Sequence, residues 1–178
     1  MHRAIADVAN PRVRLEAVKA ATSFIVANGT ENHLTAMFKE LVPSYMQAVN
    51  DILTAEIDGE DEVLKCLIEL AENCPKVLRS QLEPLVQMCL KVMDDANVEN
   101  SLRHLALEII VSLCETAPAM VRKQAQMLKP VIHQVLQLMV DLDDDDEWAI
   151  QDEDEDEDSE SNPVVAESAI DRIALGQH

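Results

Sequence analysis

"LAENCPKVLR" at residues 70–79 and "LCETAPAMVR" at residues 113–122 read as two copies of one signal. Superposed, they place Leu70 on Leu113, Glu72 on Glu115, Pro75 on Pro118 and Arg79 on Arg122, an offset of 43 residues. A second landmark agrees: "LVP" at 41–43, "LEP" at 82–84 and "LKP" at 128–130 follow one another at spacings of 41 and 46. Recurrence at about 40–47 residues is the period of HEAT and armadillo units, in which a helix pair buries its apolar face only by stacking on its neighbours. Two helices per unit, without a third short one, favour HEAT. The expected fold class is all-α: an α-solenoid of HEAT repeats, paired antiparallel helices wound into a right-handed superhelix.

Working outward from the repeat, polar residues recur at spacings of three and four opposite aliphatic ones. Arg12, Glu16, Lys19 and Ser23 mark one such stripe, Glu62, Lys65, Glu69 and Glu72 a second, and Ser101, His104, Glu108, Ser112 and Glu115 a third. The predicted helices cover 12–27, 32–54, 61–73, 76–93, 99–115 and 119–141. The prolines of the second landmark are expected to kink the first helix of each pair, since each removes a backbone donor and crowds the preceding turn. Second helices are expected to line the concave side, where Glu62, Glu69, Glu72, Glu108 and Glu115 make a mildly acidic wall. Composition points the same way: two Phe, one Tyr, one Trp and three Gly leave little for a β-sandwich with tight hairpins.

The organisation predicted is therefore HEAT repeats over residues 1–142, comprising a lone second helix, two full pairs and a first helix. An acidic, disordered loop at 143–161 is inserted within a repeat, and "NPVVAESAIDRIALG" from Asn162 starts a second helix, with Pro163 near its first turn. Arrays normally begin and end with polar capping repeats, so the chain reads as a piece of a longer solenoid.

Formal net charge is −20, and residues 141–160 hold fourteen of the 34 carboxylates without one Lys or Arg. The acidity is local, and no basic stripe exists for releasing the counterions of a nucleic acid, which leaves basic proteins as the natural partners. The run has two blocks, Asp143, Asp144, Asp145, Asp146 and Glu147, then Asp152, Glu153, Asp154, Glu155, Asp156, Glu157 and Asp158, with the single tryptophan, Trp148, between them. Trp148 is either an anchor pinning the run to neighbouring helices or a contact offered to a partner. A calcium loop fits poorly, because the positions calling for Gly and Glu hold Asp146 and Asp152. Cys66, Cys74, Cys89 and Cys114 fall singly in apolar patterns and read as buried thiols rather than metal ligands. His33, His104 and His133 have no catalytic partner at a meaningful spacing; no catalytic residues, metal or cofactor are expected. There is no secretory signal or long apolar run, so no membrane partner is expected, and "NGT" at 28–30 is a chance sequon.

"MVDLDDDDEWAIQDEDEDEDSESNPVVAESAIDRIALG", at 139–176, resembles the acidic loop of the karyopherin-beta (importin-beta-like) nuclear import receptors, and the likeness extends back through "ALEIIVSLCETAPAMVRKQ". The resemblance implies a receptor that wraps basic cargo, such as ribosomal proteins or histones, and passes the pore on phenylalanine-glycine nucleoporins. It implies release of cargo to Ran-GTP and shuttling between cytoplasm and nucleus. It assigns contacts with basic surfaces of cargo or Ran to Asp143–Glu147 with Trp148 and to Asp152–Asp158. Nucleoporin contacts are expected between outer helices near Met37, Phe38, Tyr45 and Met46, the competing reading being that these residues are core. Two other classes remain open, a structural HEAT scaffold and an acidic chaperone for basic proteins with no transport role.

Overall fold

The computed structural model describes residues 2–5, 10–29, 35–54, 59–140 and 161–176, all in helices, turns and short connections, with no strand among the described residues. The helices are α1 (His2–Ile5), α2 (Pro11–Asn28), α3 (Thr35–Thr54), α4 (Glu60–Asn73), α5 (Leu82–Asp94), α6 (Asn100–Thr116), α7 (Pro118–Arg122), α8 (Leu128–Val140) and α9 (Asn162–Gly176). Short 3₁₀ turns at Pro75–Gln81 and Ala125–Met127 precede α5 and α8.

The two copies that decide the fold end their helices with the same backbone turn. Cys74, after α4, has φ −138° and ψ 46°, and Ala117, after α6, has φ −136° and ψ 48°. Each amide closes the last turn, donating to the Leu70 carbonyl at 2.9 Å and the Leu113 carbonyl at 3.1 Å. The cause is the next residue: Pro75 and Pro118 push the preceding backbone out of the α region and end the helix. The same prolines then start the next segment, where their missing N–H costs nothing.

Pro84 and Pro130 do not kink helices as expected. Each is the third residue of its helix, α5 or α8, where the amide has no intrahelical acceptor to lose. The break in the first helices lies upstream, at Gln81 (φ −117°, ψ 15°) and Gln124 (φ −128°, ψ 39°). Only Pro43 lies inside a helix, and α3 runs unbroken through it.

Local signals explain the helix starts. The Asn10 side chain accepts from the Val13 amide at 3.4 Å ahead of Pro11. Glu60, Asp61 and Glu62 occupy the first turn of α4, where carboxylates meet the positive end of the helix dipole. Gly59 supplies the left-handed turn before it, at φ 115°.

The second helices α2, α4, α6 and α9 stack side by side in chain order, and α3, α5 and α8 pack behind them. The core runs between the layers through Val18, Ala21, Ile25, Leu64, Leu67, Leu70, Val86 and Ile110. In the middle of the stack α6 is buried over the continuous run Ile109–Cys114, because α4, α9 and α5 enclose it on three sides. Ser112, read above as part of a polar stripe, is thus 2% exposed and donates to Glu108 Oε1 at 3.3 Å.

Candidate binding surface

A row of polar links crosses the second-helix layer. Lys19 of α2 pairs with Glu62 of α4. The Thr116 hydroxyl of α6 donates to the Ala71 carbonyl of α4 at 2.7 Å. Arg172 of α9 reaches α6, with Nη1 and Nη2 on the two Glu108 oxygens at 2.7 and 2.8 Å and Nε and Nη2 on the two Glu115 oxygens at 2.8 and 2.7 Å. One guanidinium thus closes forks on two carboxylates, the geometry that favours arginine over lysine.

The expected acidic wall is accordingly not uniform. Glu62, Glu108 and Glu115 are engaged by cations from neighbouring helices, whereas Glu69 and Glu72 are exposed and have no ion pair among the described residues. Titration follows this geometry. Hydrogen bonds from Arg172 hold the Glu115 carboxyl below its usual range, and Glu115 and Glu108 together raise the affinity of Arg172 for its proton. Glu62 does the same for Lys19, with Glu16 adding to it.

The start of α9 is fixed separately. The side chains of His104 and Asn162 meet at 2.6 Å, Nε2 to Oδ1, and Asn162 is 6% exposed. Behind them, the Met93 carbonyl at the end of α5 accepts from Arg103 Nε of α6 at 3.0 Å and Gln134 Nε2 of α8 at 3.3 Å. The two helices that bracket residues 141–160 pack on each other, and α9 also lies on α6. Asp143, Asp144, Asp145, Asp146, Glu147 and Trp148, and Asp152 through Asp158, fall outside the described residues.

The four residues of the expected nucleoporin groove separate. Met37 is 43% exposed, but Phe38 and Tyr45 are core and Met46 is buried. Tyr45 shares a 2.8 Å hydrogen bond with Thr22 of α2, and the Phe38 ring meets Phe24 edge-on with centroids 5.9 Å apart. Of the four, only Met37 offers exposed surface, while Phe38 and Tyr45 face α2 and Met46 is buried.

The four cysteines are buried and free, and burial raises the Cys89 thiol to about 12 and the Cys114 thiol to about 11, so both stay protonated. Among the described residues no group of three or more His, Cys, Asp or Glu could hold a metal ion, and no helix is long and apolar enough to cross a membrane. The residue missed in the sequence was Arg172. Its signal was the seven-residue spacing of Glu108 and Glu115, which puts both on one stripe facing a single neighbouring helix.

Stacked helix pairs with a period near 43 residues define a HEAT-type α-solenoid, with an acidic stretch of sequence between α8 and α9. The chain belongs to the karyopherin-beta family: the description "Importin repeat" matches residues 95–177 and "IPO5-like, TPR repeats" matches residues 1–88. Importin subunit beta-3 of Saccharomyces cerevisiae (strain ATCC 204508 / S288c) is 32% identical, over 76% of this chain and 13% of that protein. Kap121p bound to Nup53p superposes with a TM-score of 0.82 at 26% identity, covering 98% of this chain and 17% of that one. Kap121p bound to RanGTP gives 0.80 at 27%, and Kap121p bound to the SUMO protease Ulp1p gives 0.83 at 25%, with the same coverage. The chain thus spans less than a fifth of the length of these relatives.

Proposed function

We propose that this chain forms the part of a nuclear transport receptor that meets basic proteins, through residues 141–160 and the neighbouring second-helix face. Supporting this are the family and similar structures of Kap121p in complex with Nup53p, RanGTP and Ulp1p, at 25–27% identity. Karyopherins are transport receptors rather than enzymes. The observation that carries the reading is the placement of the acidic run: it joins two helices in contact, and α9 beyond it continues the second-helix layer.

In this reading Asp143–Glu147 and Asp152–Asp158 attract cargo or Ran-GTP, and Glu69 and Glu72 extend the negative field along the concave side. Each exposed contact is worth roughly 0.2–1 kcal/mol, so affinity needs many at once and the main gain is in association rate. Met37 is what remains of the proposed nucleoporin contact, and shuttling between cytoplasm and nucleus follows from the receptor role.

The test replaces the carboxylates of both blocks by Asn, Gln or Ser and measures binding of a basic protein and of Ran-GTP as salt is raised. The Debye length falls from about 10 Å at 0.1 M to about 3 Å at 1 M, so the native chain should lose affinity steeply while the neutralised one changes little. Unchanged binding at every salt concentration would leave the run as a solubility device.

A further inference from the structure

Two short segments that hold the same place in successive repeats carry five of the fourteen Lys and Arg residues. Lys76 and Arg79 lie in Pro75–Gln81, and Arg122, Lys123 and Lys129 lie between α7 and the first turn of α8. All five are exposed, and none has an ion-pair partner among the described residues. Carboxylates are scarce around them. Residues 116–140 hold none of the 34, residues 75–82 hold none either, and Glu72 and Glu83 flank the first segment. Neither segment is a basic stripe in the sequence; stacking of the repeats brings the cations to one edge of the solenoid, where second helices end and the next first helices begin.

The fold also sets their spacing. Thr116 at the end of α6 is bonded to Ala71 near the end of α4, so the two helices finish side by side, and the turns at Cys74 and Ala117 send the chain onward with matching backbone angles. Arg79 and Arg122 are repeat equivalents, and the residue before each, Leu78 or Val121, is core, which leaves both arginines facing outward. Packed helices lie about 8–10 Å apart, so the two arginines repeat at about that distance. An extended segment of the polyproline II kind rises about 3.1 Å per residue with three residues per turn, which puts every third side chain on one face at about 9 Å. We propose that this edge receives an extended acidic segment of a partner protein with Asp or Glu at every third position. Arg79 and Arg122 each take one carboxylate in a guanidinium fork, and Lys76, Lys123 and Lys129 add to the attraction. A nucleic acid fits less well, because its affinity comes from a long track of neutralised phosphates, and the cation track here ends at Glu72 and Glu83. The proposal does not rest on the receptor reading, which concerns basic partners on the second-helix face; this edge has the opposite sign and takes the opposite kind of ligand.

The experiment titrates the full chain, at low salt and by fluorescence anisotropy, into two labelled peptides of equal composition. One has Glu at every third position among Pro and Ser, and the other has the same Glu residues in a single block. The native chain is compared with Arg79→Ser, Arg122→Ser and the double variant, all at exposed positions whose loss leaves helicity unchanged. Lys91→Ser is the control, since it removes the same charge from an exposed position near the far end of α5. The spaced peptide should bind more tightly than the block. Each single arginine variant should weaken it about two- to fivefold and the double variant about tenfold, while Lys91→Ser changes it less than about twofold. Raising salt should erase the difference between native and double variant. No binding at low salt, indifference to the spacing of Glu, or an equal loss in Lys91→Ser overturns the proposal. So does tighter binding of a DNA strand of equal charge that the double variant abolishes, since the ligand is then a nucleic acid. Self-association in sedimentation that the double variant removes also overturns it, the occupant then being a second copy.

Discussion

Arg172 and Glu108 are 64 residues apart in sequence and joined by two hydrogen bonds of 2.7 and 2.8 Å, so that α9 is tied to α6 by a guanidinium fork. The same guanidinium also grips Glu115, and the side chains of all three are about a third to two-fifths exposed. At that exposure solvent screens each pair, and a contribution of roughly 1 kcal/mol per carboxylate is the upper end for such contacts.

Arg172→Met keeps much of the side-chain volume and removes the charge. It is expected to destabilise the fold by about 1–2 kcal/mol, lowering Tm by roughly 2–8 °C for a chain of this size. Arg172→Lys should recover only part of the loss, because an ammonium cannot fork onto two carboxylates. Urea and thermal denaturation of the three proteins measure both.

The pH dependence has a definite sign. The folded Glu115 and Asp61 carboxyls lie below their ordinary values, held there first by hydrogen bonds from Arg172 and Lys65. A depressed carboxyl contributes stability that is full above its unfolded pKa, about 4.3 for Glu and 3.9 for Asp, and is lost as pH falls through the folded value. Denaturation free energy should therefore be flat from neutrality to about pH 5 and then fall, less steeply in Arg172→Met.

Tyr45 and Met37 provide a contrast on one helix. Tyr45→Ala removes a core ring and is expected to cost about 3–5 kcal/mol, whereas Met37→Ala should stay within about 0.5 kcal/mol of native. Tyr45→Phe, which deletes only the hydroxyl bonded to Thr22, should cost about 1 kcal/mol. Denaturant unfolding decides the order, and a large effect at Met37 would contradict its exposure.

Gly59 occupies φ 115°, and a Cβ there would lie 2.6 Å from Leu15 Cδ2. Gly59→Ala should cost about 1–3 kcal/mol, from backbone strain and displacement of Leu15 together. Hydrogen exchange should show faster opening at the start of α4 and in α2 before the rest of the stack.

The helix pairs were legible because the superposition of Leu70 on Leu113 and Pro75 on Pro118 reports a backbone event, the pre-proline end of a helix, that each repeat must reproduce. Pro84 and Pro130 misled because a proline three residues into a helix and one in its interior look alike when the start is unmarked, and no Ser, Thr, Asp or Asn cap precedes Leu82 or Leu128. The polar stripe overreached at Ser112 because a helix enclosed on three sides buries residues that a two-sided helix would expose. Met37, Phe38, Tyr45 and Met46 form one cluster in sequence, but which face of α3 meets α2 depends on Thr22 and Phe24, an element away. The pairing of Glu108 and Glu115 with Arg172 depends on a partner beyond the acidic run, out of reach of any local pattern.

That pairing carries the last prediction. Glu108 and Glu115 belong to the proposed acidic wall, but Arg172 occupies the oxygens that a partner's Lys or Arg would need. Removing the guanidinium should therefore have opposite effects on folding and on binding. Arg172→Met loses stability, as argued above, yet exposes two carboxylates beside Glu69 and Glu72 and makes the wall more negative by one unit of charge. If the second-helix face meets basic partners, Arg172→Met should bind a Lys-rich peptide several-fold more tightly at low salt, with a gain that fades by about 0.5 M salt. Glu69→Gln with Glu72→Gln should shift affinity the other way without touching the fork. Titrating these variants in a chain whose acidic run has been neutralised isolates the wall. Equal affinities across the set would remove these glutamates from the binding surface and leave Arg172 with a purely structural role.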